Sequence, residues 1–387
     1  MFTPETSRHF EPFVDPVTGV KSWVLKTHVA AQQQGFYFVN ASMDDGCRYL
    51  WFYCAFPPAK YMTLGVVDFE TDEVHHFPET EFIDATPLVD IDTGDCIYSN
   101  ATGFYRRSPK PDIPLQKICD IPPQLKTGLL LNTGCHHTFS PDKTELFIDA
   151  RCGDRSIMGA LNLTTGQFIQ WAETDYHRNH GQFHPTNPDL VLTAEDFWND
   201  VATNTPHVIR TNEKGEFMRL WLVHRDGSQS IVPPLRGEFA THEWWSRDGK
   251  ILYYCKYVPN HALKNVTNNG ITGYRLSDGD HRVYAPVPAW HGFSSLHDEF
   301  YVYDENDFFY RGCPSRVGFY NAVTGKQLYI VSQNPAMNPP DKPNNYHLDP
   351  HPRLVANDQW VVYTIVQDGA PQVAICKVDQ LLEKTSG

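Results

Sequence analysis

The sequence predicts an all-β protein: a seven-bladed β-propeller of four-stranded antiparallel blades, formed as one domain over residues 1–387. Three observations carry this. A polar turn followed by a short β-prone run recurs seven times, roughly 47 to 60 residues apart, a period that marks a propeller. After most copies a second strand pair turns on a tight, glycine-containing corner. Convincing amphipathic helices are absent, and the segment from Gln380 to Lys384 is too short to change the class.

The repeats run in order. Asp44-Asp45-Gly46 precedes Tyr49-Leu50-Trp51-Phe52, and Asp92-Thr93-Gly94 precedes Cys96-Ile97-Tyr98. Ser140-Pro141-Asp142 leads to Leu146-Phe147-Ile148, and Asn187-Pro188-Asp189 to Leu190-Val191-Leu192. Ser246-Arg247-Asp248-Gly249 comes before Ile251-Leu252-Tyr253-Tyr254. Degenerate copies follow at His297-Asp298 and at Asn357-Asp358, the latter before Trp360-Val361-Val362-Tyr363-Thr364. The second strand pairs hinge at corners such as Asn162-Leu163-Thr164-Thr165-Gly166, Arg225-Asp226-Gly227 and Thr324-Gly325, where glycine supplies the positive φ of a hairpin turn. Strand–turn–strand units at this period give four-stranded blades. The Arg106-Arg107 pair and the stretch from Asn334 to Asn345 read as loops.

Composition narrows the function. Net charge is −14, which disfavours nucleic acid and anionic membranes as partners. No window approaches the apolar length of a membrane span. The nine cysteines are scattered, odd in number and without a CxxC pair, which fits a reducing compartment. The first residues, Met1-Phe2-Thr3-Pro4-Glu5, lack the basic and apolar regions of a signal peptide, so a cytoplasmic location is expected.

In a propeller, function gathers at the central channel, where each innermost strand begins, upstream of its turn. Histidines stand at that place in five successive repeats: His136-His137, His180 with Gln182 and His184, His242, His291, and His347 with His351. A single histidine is most often a packed or solvated side chain; five in register converge on one axis. The stretch Tyr346-His347-Leu348-Asp349-Pro350-His351 adds a carboxylate, and nitrogen with oxygen donors suits a divalent transition metal. If it were a strand, His347, Asp349 and His351 would share one face.

These motifs together resemble the oligogalacturonate lyase family, pectin-fragment lyases built on a seven-bladed propeller. The resemblance runs over most of the chain and is densest from about 180 to 376. Thr241-His242-Glu243-Trp244-Trp245 resembles the family's Thr-His-Glu-Phe-Trp segment, which implies His242 as the base. Arg219-Leu220-Trp221-Leu222 resembles the strand carrying the active-site arginine, implying Arg219 in that role. Trp290-His291-Gly292-Phe293-Ser294 and Asp349-Pro350-His351-Pro352 resemble two manganese-binding segments. By that resemblance His291, Asp349 and His351 hold Mn2+. The family's glutamine ligand falls near Tyr346, with His347 beside it as a substitute. Asp349 stands where the family has histidine, and Gln32-Gln33-Gln34 where it has a basic pair.

The chemistry implied is removal of the C5 proton of a uronate and expulsion of the sugar on O4, giving a 4,5-unsaturated product. Positive charge on the carboxylate stabilises the developing enolate, and a neutral imidazole serves as base near neutral pH. His242 is then the base, Arg219 the charge stabiliser, and His137, His180 and Gln182 the sugar-binding candidates, with an acidic oligosaccharide as substrate. Three alternatives stay open: a lyase of this fold acting on another uronate, a non-catalytic binding scaffold, and a glycoside hydrolase, although no spacing selects a carboxylate pair for the last.

Overall fold

A computed structural model describes residues 1–234, 237–259, 266–305, 315–335, 337 and 346–387. Among the described residues seven antiparallel blade sheets follow one another along the chain, and a two-stranded ribbon, Trp198–Asn199 with Pro206–His207, is inserted in the fourth. The first blade is Gln32–Gln34, Tyr49–Ala55, Met62–Asp68 and Glu73–Phe82; the fourth is Arg178–His184, Asn187–Glu195, Leu220–His224 and Gln229–Ile231. The expected propeller of four-stranded blades is therefore observed, and each of the seven turns joins the first strand of a blade to its second. The Pro/Asn stretch from Asn334 to Asn345 lies mostly outside the described residues.

The seventh blade closes the ring. Its inner strands, Arg353–Val355, Trp360–Gln367 and Ala370–Lys377, come from the C-terminal part of the chain. Two outer strands, Lys21–Leu25 and Phe10–Val14, come from the N-terminal part, so this sheet has five strands. Closure leaves no open gap in the ring where a sheet face would meet solvent. Trp23 packs edge-on against Trp360 at 6.1 Å across this junction.

Side chains alternate between the two faces of a strand, but both faces are covered by neighbouring blades, so second strands such as Tyr49–Ala55 read as apolar runs. Tyr49–Ala55 is buried throughout, and Trp51, Phe52, Tyr253, Tyr301 and Tyr363 are almost wholly enclosed. Each such side chain contributes roughly 1.5–3 kcal/mol on burial.

Two expectations are corrected here. The C-terminal segment is a full helix, Val378–Thr385, longer than the sequence suggests. It buries Val378 and Leu381 against blades six and seven, and its Thr385 hydroxyl accepts from Asn321 Nδ2 at 3.1 Å. Arg106 and Arg107 end a strand, Gly103–Arg107, and are not in a loop: Arg107 is buried, 3.1 Å from Glu79 and 3.8 Å over the Phe77 ring. A paired arginine covered by an aromatic face can sit in a sheet where an unpaired one could not. The eight described cysteines are free; Cys313 lies outside the described residues.

Candidate metal centre and active site

The inner strands of blades four and five deliver their histidines through a local irregularity. The register shifts between Asn179 and Gln182 in one, and between Thr241 and Glu243 in the other. His180 and His242 take up the extra residue with left-handed backbone, φ 56° and 49°. A bulge of this kind re-aims one side chain, and a non-glycine residue there carries about 1–3 kcal/mol of strain, a feature concentrated at functional sites.

Blade seven uses the same device without a strand. Residues 346–352 form an irregular segment, and both His347 and His351 have positive φ, 48° and 45°. The face-sharing expected of a strand is thus not the reason these residues meet; two left-handed residues fold the segment onto the channel mouth.

The outcome is a compact donor set. One ligating atom from each of His291, His347, Asp349 and His351 lies within 4.8 Å of all the others. His291 and His351 are buried, and the Nε2 atom of each has no hydrogen-bond partner. Two buried imidazole nitrogens turned inward without a partner, beside a carboxylate, fit a divalent cation. Burial, with the neighbouring charges of His291 and His347, holds His351 well below the ordinary histidine pKa, so it stays neutral as a ligand must. Tyr346, near which the resemblance puts the glutamine ligand, is engaged elsewhere: its carbonyl accepts from Gln34 Nε2 at 3.0 Å and its hydroxyl donates to the Ala59 carbonyl.

Sequence reasoning missed two residues here. Asp304, fully buried, binds His291 Nδ1 at 3.0 Å and accepts the backbone N–H groups of His291 at 2.8 Å and His351 at 3.0 Å. It fixes the ring that bears the free Nε2 and ties blade six to the blade-seven segment. The signal was an acid following the apolar run Phe300-Tyr301-Val302-Tyr303, since a buried carboxylate needs a partner. Tyr37, from the first repeat, sits among the histidines with ring centroids 5.5 Å from His136, 6.0 Å from His180, 5.9 Å from His291 and 5.0 Å from His351. It occupies the same place in its repeat as the histidines do in theirs.

His242 stands beside the donor set, its ring 4.0 Å from that of His291 and 4.5 Å from Trp290. Burial first, then the nearby His291 and His180, push its pKa well below the usual value. Its Nδ1 is 3.2 Å from the Thr241 hydroxyl. His180 is 6.3 Å from His242 ring to ring and holds its Nδ1 2.9 Å from the carboxylate of Glu243, which has no exposed surface. Burial opposes the charge on Glu243, but His180 and Arg219 outweigh it and its pKa is lowered.

A cavity of about 290 Å³ opens at this mouth, lined among others by Gln34, Tyr37, Asp84, Asn179, His180, Asp196, His347 and His351. His180 reaches it; His242 is not among the lining residues. Arg219 is set one layer back, donating to the Glu195 carbonyl at 2.9 Å and to Asp196 at 3.2 Å. Burial works against the carboxylate of Asp196, yet Arg219, His180 and the Asn179 amide bring its pKa down to about 2.

Two sequence candidates fall elsewhere. His137 is enclosed between blades, its Nε2 2.7 Å from the Ser99 hydroxyl and its ring 5.7 Å from Phe104. Its neighbour His136 faces the cluster instead, because adjacent residues of an extended chain point to opposite sides. Gln182 donates to the Glu243 carbonyl at 2.7 Å and faces a separate cavity.

No family model matches the chain. It is 25% identical to an oligogalacturonate lyase of Dickeya dadantii over 231 residues, 56% of this chain and 54% of that protein. It is 27% identical to an oligogalacturonide lyase of Pectobacterium atrosepticum over 234 residues, with the same shares. The aligned stretch thus spans about half the length of these curated relatives. Among solved structures, an oligogalacturonate lyase in complex with manganese superposes with TM-score 0.74 at 17% identity, covering 95% of this chain and 96% of that one. An oligogalacturonate lyase from Vibrio parahaemolyticus superposes with TM-score 0.73 at 18% identity, with the same coverage. Among the described residues no helix is long and apolar enough to cross a membrane. By its motifs, by sequence over half its length and by fold over nearly all of it, the chain resembles the oligogalacturonate lyase family.

Proposed function

We propose that the protein is a lyase that cleaves uronate-containing, oligogalacturonate-like oligosaccharides by β-elimination. The observation that carries this reading is the donor set of His291, His347, Asp349 and His351, gathered within 4.8 Å beside two further histidines at one mouth of the propeller. The named relatives and the manganese-bound neighbour point the same way.

His291, His347, Asp349 and His351 would hold the cation, manganese by analogy with the neighbour, and Asp304 would orient His291. When bound, the cation supplies positive charge against the substrate carboxylate, where the enolate develops. His242 takes the C5 proton. Its depressed pKa keeps the imidazole neutral, and Thr241 holds its Nδ1 side. Arg219 provides charge from behind Asp196, so a direct grip on a carboxylate requires that ion pair to open. Tyr37, at the centre of the histidines, packs them in place.

One observation favours a second assignment of the base. His180 lines the cavity and is paired with Glu243, whereas His242 is not a lining residue. The two are separated by assaying His242→Ala and His180→Ala on uronate oligomers. Loss of the proton acceptor should fall on kcat, by roughly 10²- to 10⁴-fold. Loss of a sugar contact should fall on KM.

A further inference from the structure

The channel has a second cavity, at the ends of the inner strands away from the donor set. Its volume is about 200 Å³, and its walls include Trp244, Trp245, Arg247, Phe293, Arg353 and Asp358. Arg353 begins the inner strand of blade seven, with its guanidinium 3.2 Å above the Phe293 ring centroid. Its Nε and Nη1 atoms are buried and have no hydrogen-bond acceptor. Arg247, from the blade-five turn, faces the same space and is close enough to act on Arg353 electrostatically.

Among the described residues the three wholly buried arginines each have a partner for at least one guanidinium nitrogen. Arg107 pairs with Glu79, Arg178 donates to Thr193 and Arg219 pairs with Asp196. Neither Arg353 nor Arg247 makes a hydrogen bond or an ion pair with any described residue, although two carboxylates border the cavity. Asp358 accepts the Leu296 N–H at 2.7 Å, and the charge of Asp45 interacts with that of Arg247. For both acids burial is the leading influence and raises the pKa. Arg353 is half-buried, and two guanidinium nitrogens enclosed without an acceptor are costly; a second cation alongside raises that cost. Burial and the like charge of Arg247 both disfavour the Arg353 cation, and Asp358 and Asp45 offset them only in part. An anion between the two relieves each of these penalties.

We propose that this end of the channel is an anion-binding site, in which Arg353 and Arg247 hold the carboxylate or phosphate of a small molecule. The cavity admits a ligand of monosaccharide size, and the Phe293 ring fixes the plane of the Arg353 guanidinium so that its N–H groups are presented edge-on. The site is separate from the donor set and does not depend on the lyase reading.

The test uses the full chain. Inorganic phosphate and, in a separate arm, sodium galacturonate are titrated at constant ionic strength, with the fluorescence of Trp244 and Trp245 and the melting temperature as readouts. Saturable binding of at least one anion is expected. Its dissociation constant should rise at least tenfold in Arg353→Gln and in Arg247→Gln, a dependence that separates this site from uronate bound at the donor set. Saturation that is weakened in Arg247→Gln assigns the site to phosphate groups if seen with phosphate alone, and to carboxylates if seen with galacturonate alone. Arg247 is exposed on a turn, so its substitution leaves a folded protein even if Arg353→Gln does not. The proposal is overturned if neither anion saturates, or if Arg247→Gln binds as tightly as wild type.

Discussion

The Asp304 carboxylate meets Nδ1 of His291 at 3.0 Å, and neither side chain has any exposed surface. This contact sets which nitrogen of His291 faces the other donors. Asp304→Asn keeps the size and the acceptor oxygen but removes the charge that favours the Nδ1–H form. Affinity for Mn2+, measured by calorimetry on metal-stripped protein, should fall roughly 10- to 100-fold. Unchanged affinity would mean that His291 is not a ligand or that Asp304 does not orient it.

The four donors should not contribute equally. His291→Ala and His351→Ala each remove a buried, inward-facing nitrogen, and bound manganese should drop to a small fraction of one equivalent by elemental analysis. His347 has 63% of its side chain exposed, so His347→Ala should weaken binding less. Retention of full metal content in both buried-site variants would remove the metal centre from the account.

Burial holds His136, His137, His242 and His351 below the ordinary histidine pKa of 6.5. Below that pH the unfolded chain binds protons that the folded one refuses. The stability these groups contribute is therefore complete above 6.5 and lost as pH falls. Each group costs about 1.4 kcal/mol per pH unit below 6.5. Urea titrations of metal-stripped protein at pH 7.5 and 5.5 should differ by several kcal/mol. Equal stability at the two values would show that these imidazoles titrate normally.

Ring closure rests on the N-terminal strands. Trp23, 5% exposed, packs on Trp360 across the seam between the two ends of the chain. Trp23→Ala should destabilise the protein by about 3–5 kcal/mol. Deleting residues 1–30, which removes both outer strands of blade seven, should abolish cooperative unfolding. A deleted protein that still melts sharply would contradict closure by these strands.

Much of this was legible in the sequence, because turn chemistry and period are local. Asp92-Thr93-Gly94 and Ser246-Arg247-Asp248-Gly249 announce their hairpins wherever they stand. The convergence of His291, His347, Asp349 and His351 was legible too, since equivalent places in successive blades meet at one axis. What could not be read is backbone conformation at single residues. Positive φ at His180, His242, His347 and His351 is imposed by bulges and by the fold of one segment, not by residue type. His136 and His137 illustrate the cost: one residue of register decides which faces the site. Asp304 and Tyr37 act through contacts across blades that only the closed ring creates.

β-Elimination at this mouth creates a conjugated product, so product absorbance reports the reaction itself. Manganese-loaded wild type, His242→Ala and His180→Ala are incubated with digalacturonate while the ultraviolet band of a conjugated 4,5-unsaturated uronate is followed. Absorbance should grow for wild type and be lost by roughly 10²- to 10⁴-fold in His242→Ala, at unchanged metal content. Because the His242 pKa is depressed, the wild-type rate should be flat above pH 6.5 and fall only at lower pH. New reducing ends without absorbance would make the protein a hydrolase and contradict the account. Absorbance that survives in His242→Ala but disappears in His180→Ala would move the base to His180.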